Sequence, residues 1–109
     1  MSVSYSYFTG RPDNILTSTI RRISAYTRNS RNFKIGISNN PDRRWCQAHK
    51  FFYDDMIVLY GSSSIDNVSA LEVALIDQYG LYCDNLIRGG GGNIGQPPYF
   101  LYLVRKRWN

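Results

Sequence analysis

The chain has 109 residues, of which 43% are hydrophobic, so its size fits one compact domain rather than two. Its 13 Lys and Arg side chains outnumber 8 Asp and Glu and give a net charge of +5, and ten of the 13 are arginine. Because arginine binds phosphate through a planar fork, this balance favours a nucleic acid over a small acidic metabolite as partner. There is no signal peptide and no apolar run of membrane-spanning length, so we expect an intracellular protein, cytoplasmic or nuclear.

Strands and helices alternate along the sequence. Three segments have the pattern of β-strands, at residues 3–9, 33–38 and 56–60. Four have capping residues or apolar spacing typical of helices, at about 13–28, 41–49, 66–79 and from Pro97-Pro98 to the C-terminus. We therefore predict one α/β (α+β) domain over residues 1–109, with a small, mostly antiparallel, three-stranded sheet flanked by helices. The helix at 13–28 is inserted between the first two strands.

Two features of the sequence indicate where a functional site lies. The strand at 33–38 places Lys34 and Gly36 on one face, and Arg44 follows eight residues after Gly36. Glu72, the one glutamate of the chain, has six apolar residues around it in the sequence. Burying a carboxylate is costly unless a cation or a hydrogen-bond donor meets it. Glu72 is therefore expected to bind a metal, and the alternative is an ion pair with an arginine such as Arg88.

These parts and their order resemble the GIY-YIG nuclease superfamily. Lys34-Ile35-Gly36 resembles the second signature tripeptide, in the Lys-Ile-Gly form used by some branches, and the resemblance covers somewhat over half of the chain. It implies that Arg44 is the catalytic arginine, that Glu72 binds the metal, and that Asn85 closes the motif, with Asn93 as second choice. The first tripeptide, Gly-Ile-Tyr, is absent, and so is the short loop that usually joins the two signature strands.

The activity implied by the resemblance is metal-dependent hydrolysis of phosphodiester bonds by an endonuclease. Mg²⁺ (or Mn²⁺) would bind Glu72, because a hard carboxylate oxygen suits an ion that keeps several waters. Arg44 would hold the scissile phosphate as negative charge builds on it. The alternative for Arg44 is a solvated helix cation like its neighbour Arg43.

The general base is open between two kinds of residue. By analogy with the first signature strand, the base is Tyr7, or less favourably Tyr5, and Lys34 would be the cation that lowers the phenol's pKa. His49, the single histidine, lies about one helical turn after Arg44 and is the rival base.

The expected partner is DNA, with RNA as the alternative. Besides Arg44, the cations expected to contact the nucleic acid are Arg21, Arg22, Arg28, Lys50, Arg105, Lys106 and Arg107. Two other functions remain open: a nucleic-acid-binding module of the same fold with weakened catalysis, and a basic protein-interaction domain.

Overall fold

The computed structural model describes residues 3–79 and 95–108. This part of the chain contains four strands: β1 (Val3–Phe8), β2 (Ser30–Ser38), β3 (Asp55–Ser62) and β4 (Tyr99–Arg107). It contains three α-helices: α1 (Pro12–Thr27), α2 (Pro41–Arg44) and α3 (Ile65–Tyr79). The short helix α2 continues directly into a π-helical turn, Trp45–His49.

The strands form one mixed sheet in the order β1-β3-β4-β2. β1 is parallel to β3, whereas β4 is antiparallel to both of its neighbours, β3 and β2. The predicted α/β (α+β) class is thus confirmed. The prediction of three strands is wrong, because four are present in the described part of the chain.

The additional strand is β4, in a segment for which the sequence predicts a helix starting at Pro97-Pro98. Leu101 and Leu103 are buried on the sheet face covered by α1 and α3, while Tyr102 and Val104 are buried on the opposite face. A central strand that is covered on both sides has no polar face, so its sequence is a continuous apolar run rather than an alternating one. That pattern does not distinguish a buried strand from a helix.

Each face of the sheet carries its own hydrophobic core. The larger core joins α1 and α3 to the sheet and includes Ile23, Ile35, Leu59, Leu71, Leu75 and Leu103. The smaller core joins the π-helical turn to the other face and consists of Val3, Trp45, Met56, Val58, Tyr102 and Val104. As a result, α1 and α3 lie on one face of the sheet and the Arg44–His49 segment lies on the other.

No helix in residues 3–79 and 95–108 is both long and apolar enough to cross a membrane. Cys46 has a free, exposed thiol. Asn85 and Asn93, the candidates for closing the motif, lie outside the described residues, and so does Arg88, the alternative partner of Glu72.

Candidate active site at the β2–β4 face

A short connection after β2 places Arg44 next to that strand. The Asn40 backbone N–H donates to the Ser38 hydroxyl at 2.9 Å, and the Asn40 side chain accepts from the Arg43 N–H at 3.2 Å. Pro41 then occupies the first turn, where its missing N–H and fixed φ suit a helix start. Because α2 begins immediately after β2, Arg44 lines the same cavity as Lys34.

The π-helical turn that follows Arg44 directs two side chains towards the sheet. Its signature is the Lys50 N–H, which donates to the Trp45 carbonyl at 2.9 Å, five residues back. Trp45 and His49 are both buried, and Trp45 belongs to the smaller core. Single π-helical turns are frequent at functional sites because they redirect side chains within an otherwise regular helix.

Beside this turn lies an open cavity of about 480 Å³. Its described lining contains two cations and no carboxylate, and consists of Asn32, Lys34, Arg44, Ala48, His49, Phe52 and Tyr53. Burial lowers the pKa of His49 to about 4, and the charges of Lys34 and Arg44 add to this effect. His49 is therefore neutral at neutral pH, and the cavity carries a positive potential that suits a phosphate.

Beneath the cavity, His49 is hydrogen-bonded to a tyrosine from β4. The His49 Nε2 atom lies 2.8 Å from the hydroxyl of Tyr102, which is only 1% exposed. Burial raises the pKa of Tyr102, and the hydrogen bond and charge of Arg44 act in the opposite direction. A guanidinium can only donate hydrogen bonds, so the Tyr102 oxygen accepts from Arg44. The hydroxyl proton of Tyr102 is then free to be donated to the neutral His49.

Gly36 provides the space that this tyrosine occupies. Gly36 and Tyr102 are direct partners across β2 and β4, and a Cβ atom at residue 36 would lie 2.5 Å from the Tyr102 Cζ atom. Real Cβ atoms do not approach a ring that closely, so the glycine of Lys34-Ile35-Gly36 is required by packing at this site.

Glu72 lies in the middle of α3 and is 4% exposed. It shares a buried stripe of the helix with Val68 and Ile76, one turn before and one turn after it. Helix α3 packs on the sheet face opposite to the cavity, and Glu72 is not among the residues that line the cavity. Burial is the main cause of the raised pKa of Tyr102, and the negative charge of Glu72 acts in the same direction. No three His, Cys, Asp or Glu side chains among the described residues converge on a common point. A single carboxylate fits Mg²⁺, which keeps several of its own waters, better than a metal held by a full protein cage.

The structure separates Tyr7 from these residues. β1 and β2 are opposite edges of the sheet, about 14 Å apart across three strand spacings, so the expected pairing of Lys34 with Tyr7 is wrong. The Tyr7 ring instead packs edge-on against Phe100, with centroids 5.5 Å apart. The Tyr5 hydroxyl donates to the Asp42 carboxylate at 2.9 Å. Burial is the main cause that raises the pKa of Tyr5 to about 12, and Asp42 is the second cause. A phenol with such a high pKa stays protonated, which disfavours a role as base.

The cations of α1 are not brought to the cavity either. Arg21 and Arg28 are exposed, but α1 packs on the opposite face of the sheet. Arg22 donates to the Ser6 carbonyl and its guanidinium lies 4.4 Å from the centre of the Phe8 ring. A nucleic acid that contacted both these residues and Arg44 would have to wrap around the sheet.

The three cations at the C-terminal end belong to β4 and are already paired. Arg105 forms a bidentate pair with Asp55, at 2.8 and 3.1 Å, and also donates to the Tyr26 carbonyl at 2.7 Å. Arg107 shares Asp55 at 2.7 Å, and Lys106 lies 3.6 Å from an Asp54 carboxylate oxygen. Arg105 thus lies in a strand and is paired within the fold, which corrects the expectation of a charged tail, while its contact with nucleic acid stays a prediction.

The fold therefore brings together three of the expected site residues, Lys34, Arg44 and His49. Lys50 is the next residue after His49, and Tyr102 is a further member of the site. The sequence analysis missed Tyr102 because it lies 53 residues after His49, in a segment whose sequence predicts a helix. The available signal was the apolar run of residues 99–104, which fits a strand buried on both faces.

Comparisons of this chain with protein-family models, with curated proteins and with solved structures found no match.

Proposed function

We propose that the protein is a metal-dependent endonuclease of the GIY-YIG type, which hydrolyses phosphodiester bonds in DNA, with RNA as the alternative substrate. The observation that carries this proposal is the hydrogen-bonded pair of Tyr102 and His49, next to Arg44 and Lys34 in a cationic cavity. A proton acceptor can activate the attacking water, and a cation beside it can stabilise the charge that builds on the phosphate, so this pair would meet two of the needs of phosphodiester hydrolysis.

The antiparallel pairing of β2 with β4 also supports the proposal. The two signature strands of the superfamily are joined by a short loop, and strands joined in this way pair antiparallel. In this chain the antiparallel neighbour of the Lys34-Ile35-Gly36 strand is β4, which carries Tyr102 opposite Gly36. We therefore assign to Tyr102 the role first expected for Tyr7. The tyrosine strand follows the Lys-Ile-Gly strand in sequence instead of preceding it.

The substrate phosphate would be held by Lys34 and Arg44. Arg44 is exposed, while the Tyr102 hydroxyl beneath it is buried. We expect the guanidinium to turn towards a bound phosphate, which it can contact with two parallel N–H groups. This movement would give the attacking water access to the Tyr102 hydroxyl.

Tyr102 and His49 would accept the proton of the attacking water as a pair. The water oxygen bonds to phosphorus as its proton passes to the Tyr102 oxygen, and the Tyr102 proton passes to His49 Nε2. The bond from phosphorus to the leaving oxygen breaks, and that oxygen is protonated from solvent. Burial is the main cause of the low pKa of His49, and the charges of Lys34 and Arg44 lower it further. A phosphate bound to these two cations would cancel part of their effect, raise the pKa of His49 and make it a better proton acceptor.

Glu72 would hold the divalent ion. When bound there, Mg²⁺ or Mn²⁺ supplies positive charge to the phosphate and the leaving oxygen. Glu72 does not line the cavity, because α3 packs with α1 on the other face of the sheet. The support for this assignment is electrostatic, since the charge of Glu72 adds to burial in raising the pKa of Tyr102.

The test is nicking of a supercoiled plasmid in Mg²⁺, with EDTA as the metal control. We expect Tyr102→Phe to lose about a hundredfold or more in rate, the scale of a general acid–base group, and Tyr7→Phe to retain the wild-type rate. Both variants keep the ring and lose a hydroxyl, so the comparison isolates the site. Nicking that survives EDTA, or equal rates for both variants, would rule out this mechanism.

One observation favours the alternative of a binding module with weakened catalysis. Burial raises the pKa of Tyr102 and so keeps the phenol protonated in the unliganded protein. Salt-sensitive DNA binding without nicking would select this alternative. A protein that neither binds nor nicks DNA would select the alternative of a protein-interaction domain.

A further inference from the structure

Two phenylalanines at the edge of the cavity are exposed to solvent. Phe51 is 79% and Phe52 is 70% exposed, and Phe52 lines the cavity. They lie in the segment that connects the π-helical turn to β3. Exposed apolar side chains that are grouped next to a site indicate a binding surface more strongly than scattered ones do.

The backbone fixes these rings in their exposed position. The N–H groups of Phe52 and Tyr53 both donate to the His49 carbonyl at 3.0 Å. On the other side, the Asp54 N–H donates to the Arg105 carbonyl at 2.8 Å, which ties the segment to β4. The turn is thus anchored at both ends, and the rings project from a defined backbone.

The charges around the rings indicate the chemistry of the ligand. The Lys50 ammonium lies 5.0 Å from the centre of the Phe51 ring, and Lys34 and Arg44 line the adjoining cavity. Aromatic rings interleaved with cations suit a polyanion that carries flat apolar groups, which describes a nucleic acid whose bases are free to stack. In an intact duplex, each base face is already covered by its neighbours, so only unpaired or unstacked bases can stack on Phe51 and Phe52.

The other exposed aromatic residues do not have this setting. Tyr5 and Tyr7 pack edge-on against Phe100 at the β1 side of the sheet. Trp108 is exposed, but it is not part of the cavity lining.

We infer that Phe51 and Phe52 stack on unpaired bases next to the phosphate held by Lys34 and Arg44, so that the protein selects single-stranded or junction DNA over intact duplex. This inference rests on the proposed function only for the cleavage step. The stacking itself requires the rings and the cations, not turnover.

The experiment measures binding in EDTA to three oligonucleotides of equal length: a duplex, a single strand, and a fork with one single-stranded arm. Each carries 2-aminopurine, a base analogue whose fluorescence is quenched by stacking on an aromatic ring. We expect the wild-type protein to bind the fork and the single strand about fivefold or more tightly than the duplex, the scale of one base–aromatic stack. We also expect quenching in the unpaired arm.

Variants separate stacking from charge and from folding. The double variant Phe51→Leu/Phe52→Leu should lose both the preference and the quenching, while Phe51→Trp/Phe52→Tyr should retain them. Trp108→Leu, which removes an exposed aromatic outside the cavity lining, should behave as wild type. Equal affinity of the wild-type protein for fork and duplex, binding of neither, or a preference that survives in the leucine variant would overturn the inference.

Nicking assays on the same substrates distinguish this inference from the proposed function. If no substrate is cut but the preference and the quenching are present, the endonuclease proposal fails and the stacking inference stands. If fork and duplex are cut and bound equally well, the endonuclease proposal stands and the stacking inference fails.

Discussion

Tyr102 fits between β4 and the cavity because its partner on β2, Gly36, has no side chain. A Cβ atom at residue 36 would lie 2.5 Å from the Tyr102 Cζ atom, and the same tyrosine is hydrogen-bonded to His49 at 2.8 Å. The glycine of the Lys34-Ile35-Gly36 segment therefore determines where the hydroxyl of Tyr102 is held.

Gly36→Ala should displace the Tyr102 ring and thereby reduce both stability and activity. We expect the free energy of unfolding to fall by about 1–3 kcal/mol, the usual cost of overpacking. In the Tyr102→Ala protein the ring is absent, so Gly36→Ala should lower the free energy of unfolding by clearly less. Urea denaturation of the four proteins of this cycle measures the difference. If the two costs are equal, the contact between Gly36 and Tyr102 does not govern the site.

Arg44→Ala should reduce the nicking rate about a hundredfold more than Arg43→Ala does, which is the scale of losing one transition-state donor. Both arginines are exposed on the same short helix, but Arg44 lines the cavity and acts on Tyr102 and His49. The substitutions remove the same charge, so non-specific attraction to DNA changes equally. The measurement is single-turnover nicking at saturating protein, and equal losses would exclude a specific role for Arg44.

The sequence predicted the local parts of the site better than its long-range parts. Asn40 and Pro41 determine a helix start, and the spacing from Gly36 to Arg44 brings that arginine back to β2, so these contacts follow from nearby residues. The contact between His49 and Tyr102 joins residues 53 positions apart and depends on the place of β4 in the sheet. No local pattern specifies that place.

The same reasoning explains why the sequence did not predict the separation of Tyr7 from Lys34. The alternation of residues 3–8 correctly indicates a strand, but strand order depends on which edges pair in the folded sheet. β1 pairs in parallel with β3, which puts Tyr7 at the edge opposite to Lys34. The ion pair of Arg105 was missed for a related reason, since its partner Asp55 lies on the neighbouring strand β3 and not nearby in sequence.

Glu72→Gln should abolish metal-dependent nicking and leave DNA affinity nearly unchanged. The amide keeps the size of the buried side chain but is a weaker ligand for a hard cation, and removing an acid does not reduce attraction to phosphate. Asp77→Asn, an exposed acid on the same helix, is the matched control and should nick normally. Nicking rates over a Mg²⁺ titration test both variants. Wild-type rates for purified Glu72→Gln would remove the metal site from the proposed mechanism.

His49 should make folding less stable in mild acid. Its pKa is about 4 in the folded protein against 6.5 ordinarily, so between these values the unfolded chain binds a proton that the folded one does not. Stability is therefore full above about pH 6.5 and decreases as the pH falls towards 4, by at most about 3 kcal/mol. Urea unfolding at a series of pH values should show this decrease in the wild type and less of it in His49→Gln, which keeps a partner for the Tyr102 hydroxyl. Parallel curves would mean that His49 is not held neutral by the fold.

Binding of a nucleic acid should raise the pKa of His49. Burial is the main cause of its low pKa, and the charges of Lys34 and Arg44 contribute the rest. A phosphate between these two cations cancels part of their repulsion for the protonated imidazole, so the midpoint should move upwards from about 4. The chain has one histidine, so its imidazole signal in an NMR titration is unambiguous. Lys34→Met should raise the midpoint in the free protein and reduce the further shift on adding a short oligonucleotide in EDTA. A midpoint that does not respond to the oligonucleotide would show that the phosphate does not bind beside His49.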